Sequence, residues 1–189
     1  MWGFQLEDAG SVSSPIKTTG TPAERLRQRY TLATLSGYTA NEYTMRFVVV
    51  PLINYDAPIY GVELGDRVIW GHFSATNDTS QVFFVGGTDQ IRYVRNSPAG
   101  SATVETSIGD LNYQAGDSLD IEIQQSAANG ITISVNGAQY TNSSAAAKST
   151  YSGVLTNHHL GNINPAQDSS ALALIQTFQF WTSAIPFVL

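Results

Sequence analysis

The chain predicts an all-β fold: a two-sheet antiparallel β-sandwich with an extended N-terminal arm and one short helix. Three observations carry this. Apolar residues make up 42% of the 189 residues, enough to fill a core. Only 13% are charged and just two are lysines, Lys17 and Lys148. Helical proteins usually solubilise their outer faces with Lys and Glu, whereas polarity here comes from Ser, Thr, Asn and Gln beside 16 glycines. From residue 43 onward, short alternating segments are separated by turn residues.

The first 39 residues read as an arm. Within them, Thr21-Pro22-Ala23-Glu24 is a capping box with Pro at the first helical position, predicting a short helix through about Arg29. Glu42–Val50 is the first predicted strand, stopped by Pro51. Ile59–Leu64 and Arg67–Phe73 flank the tight-turn dipeptide Gly65-Asp66. Gln81–Val85 ends at Gly86-Gly87, Gln90–Arg95 ends at Ser97-Pro98-Ala99-Gly100, and Ala102–Thr106 follows. Leu119, Ile121 and Ile123 alternate with Ser118, Asp120, Glu122 and Gln124, which gives one buried face. Asn129-Gly130 and Asn136-Gly137 predict primed two-residue turns leading into Ile131–Val135 and Ala138–Tyr140, a three-stranded meander. A small-residue loop spans Asn142–Thr150. His158–Gly161 and Ala171–Trp181 complete a series of ten or more short strands, the count expected of a sandwich.

Residues 1–39 are therefore assigned to the arm and its helix, 40–183 to the sandwich and 184–189 to an apolar C-terminal tail. Trp2, Phe4 and Leu6 at one end, and Ile185, Phe187, Val188 and Leu189 at the other, sit on segments too short to bury them. They are expected to act as assembly arms docking on neighbouring subunits, or else to cover an edge of their own sheet.

Several function classes are excluded or disfavoured. Without cysteine there are no disulfides, thiolate metal sites or cysteine nucleophiles. The net charge is −6, divided as −1 over residues 1–95 and −5 over residues 96–189, so no nucleic-acid partner is expected. No apolar run approaches the roughly 18 residues of a membrane span, and no membrane insertion is expected. The first residues lack the basic region and apolar stretch of a signal peptide. Neither a G-x-S-x-G elbow nor a phosphate loop occurs.

The order of elements resembles the concanavalin A-like, laminin G-type jelly roll. Tyr43-Thr44-Met45-Arg46-Phe47-Val48-Val49-Val50-Pro51 is similar to an early strand of that family, and Gly116–Ile123 to a central one. Gly130–Gly137 resembles its Asn-Gly hairpin. Leu160-Gly161-Asn162-Ile163 and Ile175–Trp181 resemble its closing strand. The resemblance covers residues 40–183 and concerns packing and turns, so it implies a fold more than a function.

Some members are glycoside hydrolases with an E-x-D-x-E strand. The matching stretch here is Ser118-Leu119-Asp120-Ile121-Glu122, with serine in the nucleophile's place, so no catalytic residues are expected. Other members bind calcium through loop oxygens. Asp56, Asn77, Asp78 and Asp89 are the candidates, but they lack ligand spacing, and neither a metal nor a cofactor is expected. Trp70 and His72 should share a face, and with Arg92, Tyr93 and His158 they form a candidate glycan-stacking surface. The competing reading places Trp70 in the core.

Few lysines, no cysteine and apolar ends together suggest a non-enzymatic viral structural protein, a phage capsid decoration or tail-appendage subunit. Its expected partners are copies of itself, other virion proteins and a surface glycan, and its expected location is the virion, after assembly in the host cytoplasm. The alternative is a free carbohydrate-binding, lectin-like module, and a glucanase-like hydrolase ranks below both.

Overall fold

Period-2 alternation decides which way each strand faces. In the segment Glu42–Pro51, the side chains of Tyr43, Met45, Phe47 and Val49 are wholly buried, while Arg46, Val48 and Val50 face partly outward. The computed structural model describes residues 30–32, 42–56, 66–73, 79–149, 157–160 and 173–183. In chain order they form β1 (Tyr30–Leu32), β2 (Glu42–Pro51), β3 (Arg67–Phe73), β4 (Thr79–Phe84), β5 (Ile91–Ser97) and β6 (Gly100–Glu105). Then follow β7 (Leu119–Ser126), β8 (Gly130–Val135), β9 (Ala138–Asn142), the helix α1 (Ala145–Lys148), β10 (Asn157–Leu160) and β11 (Ala173–Trp181).

Two antiparallel sheets result. One has six strands in the order β1-β10-β3-β4-β5-β6, the other five in the order β11-β2-β7-β8-β9. Between them lies one core, in which Phe47, Ile121 and Ile133 of the five-stranded sheet meet Trp70, Val82 and Ile91 of the six-stranded sheet. Both sheets are closed by strands distant in sequence. β2 runs between β11 and β7, and β10 inserts between β1 and β3.

A bulge between Val68 and Trp70 re-aims β3. Beyond it, Ile69 and Trp70 both enter the core; before it, Val68 pairs with Phe83 in a small apolar cluster of its own. Arg67, opposite the core residue Phe84, is itself buried.

The meander β7-β8-β9 is present, and its two turns differ. Asn136-Gly137 is a two-residue turn between Val135 and Ala138, with positive φ at both residues, 49° and 89°. The other predicted two-residue turn is corrected. Ser126 pairs with Gly130, leaving Ala127-Ala128-Asn129 as a three-residue loop. Only Gly130 has positive φ, and the hydroxyl of Ser126 accepts the amides of Ala128 and Asn129. A second correction concerns the expected 142–150 loop, which contains α1. Ser144 caps its start by accepting from the amide of Ala147, and a run of three alanines favours the turn.

β1 lies inside the segment assigned to the arm, yet it pairs with β10. The predicted helix near residues 21–29, the strand Ile59–Leu64, the arm residues Trp2, Phe4 and Leu6, and the tail residues Ile185, Phe187, Val188 and Leu189 lie outside the described residues.

Alanine substitutions at the two hairpin glycines should separate steric from conformational cost. At Gly137 nothing lies within 4 Å of a new Cβ, so Gly137→Ala should cost only the left-handed penalty of about 1–2 kcal/mol. At Gly130 the Cβ would sit 2.3 Å from the carbonyl oxygen of Asn142, so Gly130→Ala should cost clearly more. Urea denaturation of both variants checks the order.

Candidate functional site

The predicted glycan surface does not assemble. Trp70, His72 and Tyr93 are wholly buried, with the Trp70 and His72 rings 6.1 Å apart. The Tyr93 hydroxyl lies 2.5 Å from that of Tyr43 and donates to Ser80 Oγ at 3.0 Å, a hydrogen-bonded chain running from one sheet to the other. Burial above all, with the Tyr43 phenol beside it, holds the Tyr93 phenol well above its ordinary pKa. Arg92 occupies the opposite face of β5, where it pairs with Glu105 at 2.5 Å and stacks its guanidinium 5.6 Å from the Phe83 ring. His158 is the register partner of His72; its side chain lies outside the described set. The reason for the correction is geometric, because adjacent residues such as Arg92 and Tyr93 cannot share a strand face.

On the outer face of the five-stranded sheet, Arg46 Nε and Nη2 hold both oxygens of Asp120, at 2.8 and 2.6 Å. Glu122, on the same face, pairs in register with Arg46. Burial raises its carboxyl pKa, with the Arg46 charge opposing. A raised carboxyl has the character of a general acid. The nucleophile's place, however, is the exposed Ser118, and Asp120 is neutralised by Arg46.

Among the calcium candidates, Asp56 is exposed, and Asn77 and Asp78 lie outside the described residues. Asp89 serves its own loop. Its carboxylate accepts the amides of Gly109, Leu111 and Asn112 at 2.9, 2.9 and 2.8 Å. No group of three or more metal-ligating side chains occurs among the described residues.

A site the sequence did not signal lies at one end of the sandwich. Gly116 N–H donates to the Pro51 carbonyl at 2.8 Å and Ala115 N–H to Asn54 Oδ1 at 2.9 Å, joining two loops. This sets the Tyr55 and Tyr113 rings edge to face, 5.8 Å apart, with Phe84 5.2 Å from Tyr113. With Arg67, Val85, Gly86 and Gly87 they form a close-packed cluster around a shallow depression too small to admit a water molecule. Arg67 is 9% exposed, and its Nη2 is buried without a hydrogen-bond partner. Burial lowers its guanidinium pKa, with Tyr113 opposing; burial likewise pushes the Tyr113 phenol up to about 12. In the sequence, Arg67 is merely the first residue of an apolar strand.

Two facing antiparallel sheets with this strand order form a jelly-roll sandwich, the fold also found in laminin G-like domains. Among solved structures, the chain is similar to the binding domain of botulinum neurotoxin serotype G, with a TM-score of 0.61 and 13% identity over 84% of this chain and 37% of that one. It is also similar to domains LG4-5 of the mouse laminin α1 chain, with a TM-score of 0.54 and 14% identity over 86% of this chain and 42% of that one. The serotype D neurotoxin binding domain gives a TM-score of 0.59 at 10% identity, over 84% of this chain and 37% of that one. The chain spans less than half the length of each. No protein-family model and no curated protein sequence matches it.

Although Asp89 is buried, which by itself raises its pKa, the three loop amides prevail and hold it below the ordinary value. Its contribution to stability is therefore full above the unfolded pKa of about 3.9 and is lost as pH falls through the lower folded value. Acid unfolding followed by circular dichroism should show this limb flattened in Asp89→Asn. Amide exchange should quicken at Gly109, Leu111 and Asn112.

Proposed function

We propose that the chain is a non-catalytic recognition module whose jelly roll presents a carbohydrate-binding surface. One observation supports this above the others: its fold is that of two structures described as neurotoxin binding domains, and also of a laminin domain pair. The absence of a carboxylate at Ser118 and the engagement of Asp120 by Arg46 favour binding over hydrolysis.

A finer reading places the module in a phage virion, as a decoration or tail-appendage subunit that assembles through its ends. It is favoured by the apolar residues Trp2, Phe4, Leu6, Ile185, Phe187, Val188 and Leu189, and by a surface poor in lysine. Under this reading the protein is a homo-oligomer in contact with other virion proteins.

The test combines a glycan array with a reducing-sugar assay on every glycan bound. Binding without released sugar is expected, unchanged in Glu122→Gln. Sugar release that disappears in Glu122→Gln would overturn the reading in favour of a hydrolase. For the virion reading, light scattering should show an oligomer that dissociates when residues 184–189 are removed; a monomeric full-length chain would sink it.

A further inference from the structure

We propose that the open edge of β9 is a self-association surface, on which a second copy of this chain pairs strand to strand about a two-fold axis. The proposal goes beyond the glycan-binding reading and uses no residue of the terminal arms.

The four strands at the sheet edges are not alike. β1 is only three residues long, and β11 carries a bulge between Ile175 and Thr177. Short length and bulges both discourage pairing with another chain. On β6, the carbonyl of Thr103 is already taken by Asn142 Nδ2 at 2.7 Å. β9 has none of these protections. Its five residues run in unbroken register with β8, and they include no charge and no proline. Ala138, Gln139 and Thr141 are exposed.

The hairpin fixes which backbone groups are open. Its two-residue turn makes Val135–Ala138 a hydrogen-bonded pair, so Ile133–Tyr140 and Ile131–Asn142 are hydrogen-bonded in turn. Gln139 and Thr141 therefore direct their backbone N–H and C=O groups away from β8. Among the described residues, no hydrogen bond engages these four groups. Antiparallel pairing centred on Tyr140 sets Gln139 opposite the partner's Thr141, and each such pair exchanges two hydrogen bonds. Every open group on both strands is then satisfied, and two five-stranded sheets become one.

A second copy suits this edge better than a foreign strand. Both sheets end on the same side of the sandwich, where the Asn142–Thr103 bond joins β9 to β6. A single foreign strand would meet one edge. A two-fold copy meets both, which enlarges a contact that five residues alone would leave small. Charge points the same way. A net charge of −6 opposes the approach of two copies, and an uncharged strand is where approach costs least. The acids beside it are engaged: Glu105 pairs with Arg92, and Asp110 accepts from the Tyr140 hydroxyl.

The test is sedimentation equilibrium of the full chain over a range of concentrations, where the mass should rise from one chain to two. Gln139→Glu combined with Thr141→Glu places like charges opposite each other twice, and should raise the dimer dissociation constant roughly tenfold or more. Gln139→Lys combined with Thr141→Glu places opposite charges there and should restore the dimer. In hydrogen exchange on the wild type, the Gln139 and Thr141 amides should slow at concentrations where the dimer forms. That readout decides the matter even if a variant fails to fold. A mass of one chain throughout, a dimer that survives the two glutamates, a Lys/Glu variant that stays dissociated, or unslowed Gln139 and Thr141 amides would each overturn the proposal. An oligomer lost on removal of residues 184–189 but indifferent to the two glutamates overturns the β9 surface and leaves assembly through the ends standing. If the chain stays monomeric and an added peptide of alternating Thr and Val slows the same amides, the edge takes a foreign strand and self-pairing is overturned.

Discussion

A fully buried guanidinium ties one end of the sandwich together. Arg95, on β5 of the six-stranded sheet, reaches the last carbonyls of α1, and Gln125, on β7 of the opposite sheet, donates to the same Ala147 oxygen at 2.9 Å. The four-residue helix is thereby held by both sheets. Its C-terminal carbonyls carry partial negative charge, so they suit a cation buried without a carboxylate. The Tyr43–Tyr93–Ser80 chain adds a second polar link across the same core. In a low-dielectric interior such links are costly to leave half made, so they specify how the two sheets face each other.

That constraint makes the contrast with the other end informative. Where Arg95 is, the protein supplies the acceptors; where Arg67 is, the fold ends in two tyrosines and a Gly-Gly rim. Apolar packing needs no cation at either place.

The outer faces follow a plainer logic. On the five-stranded sheet, Arg46, Asp120 and Glu122 form a charged row whose bidentate pair is partly exposed and contributes little to stability. On the six-stranded sheet, Arg92 pairs with Glu105 and covers Phe83. A surface with few charges thus uses arginine where lysine would be commoner, because the planar guanidinium can stack and pair at once.

The sequence alone was enough for most of the described strands, the alternating faces and the meander, because period-2 alternation is a local property of side chains on a pleated backbone; it was not enough for the three-residue β1, whose place is set by its pairing with β10. Trp70 and Tyr93 were legible as large apolar residues, but whether they faced a ligand or the core depended on which sheet lay opposite. The Asn136-Gly137 turn was legible because both residues carry the conformational requirement themselves. The Ser126–Gly130 loop was not, since its length is set by the register of two strands. In the same way, Arg67 meets Tyr113 only because two loops distant in the chain are joined at Pro51 and Gly116. Local chemistry determined the elements of this protein; pairing across long sequence separations decided which of its buried guanidinium nitrogens found acceptors.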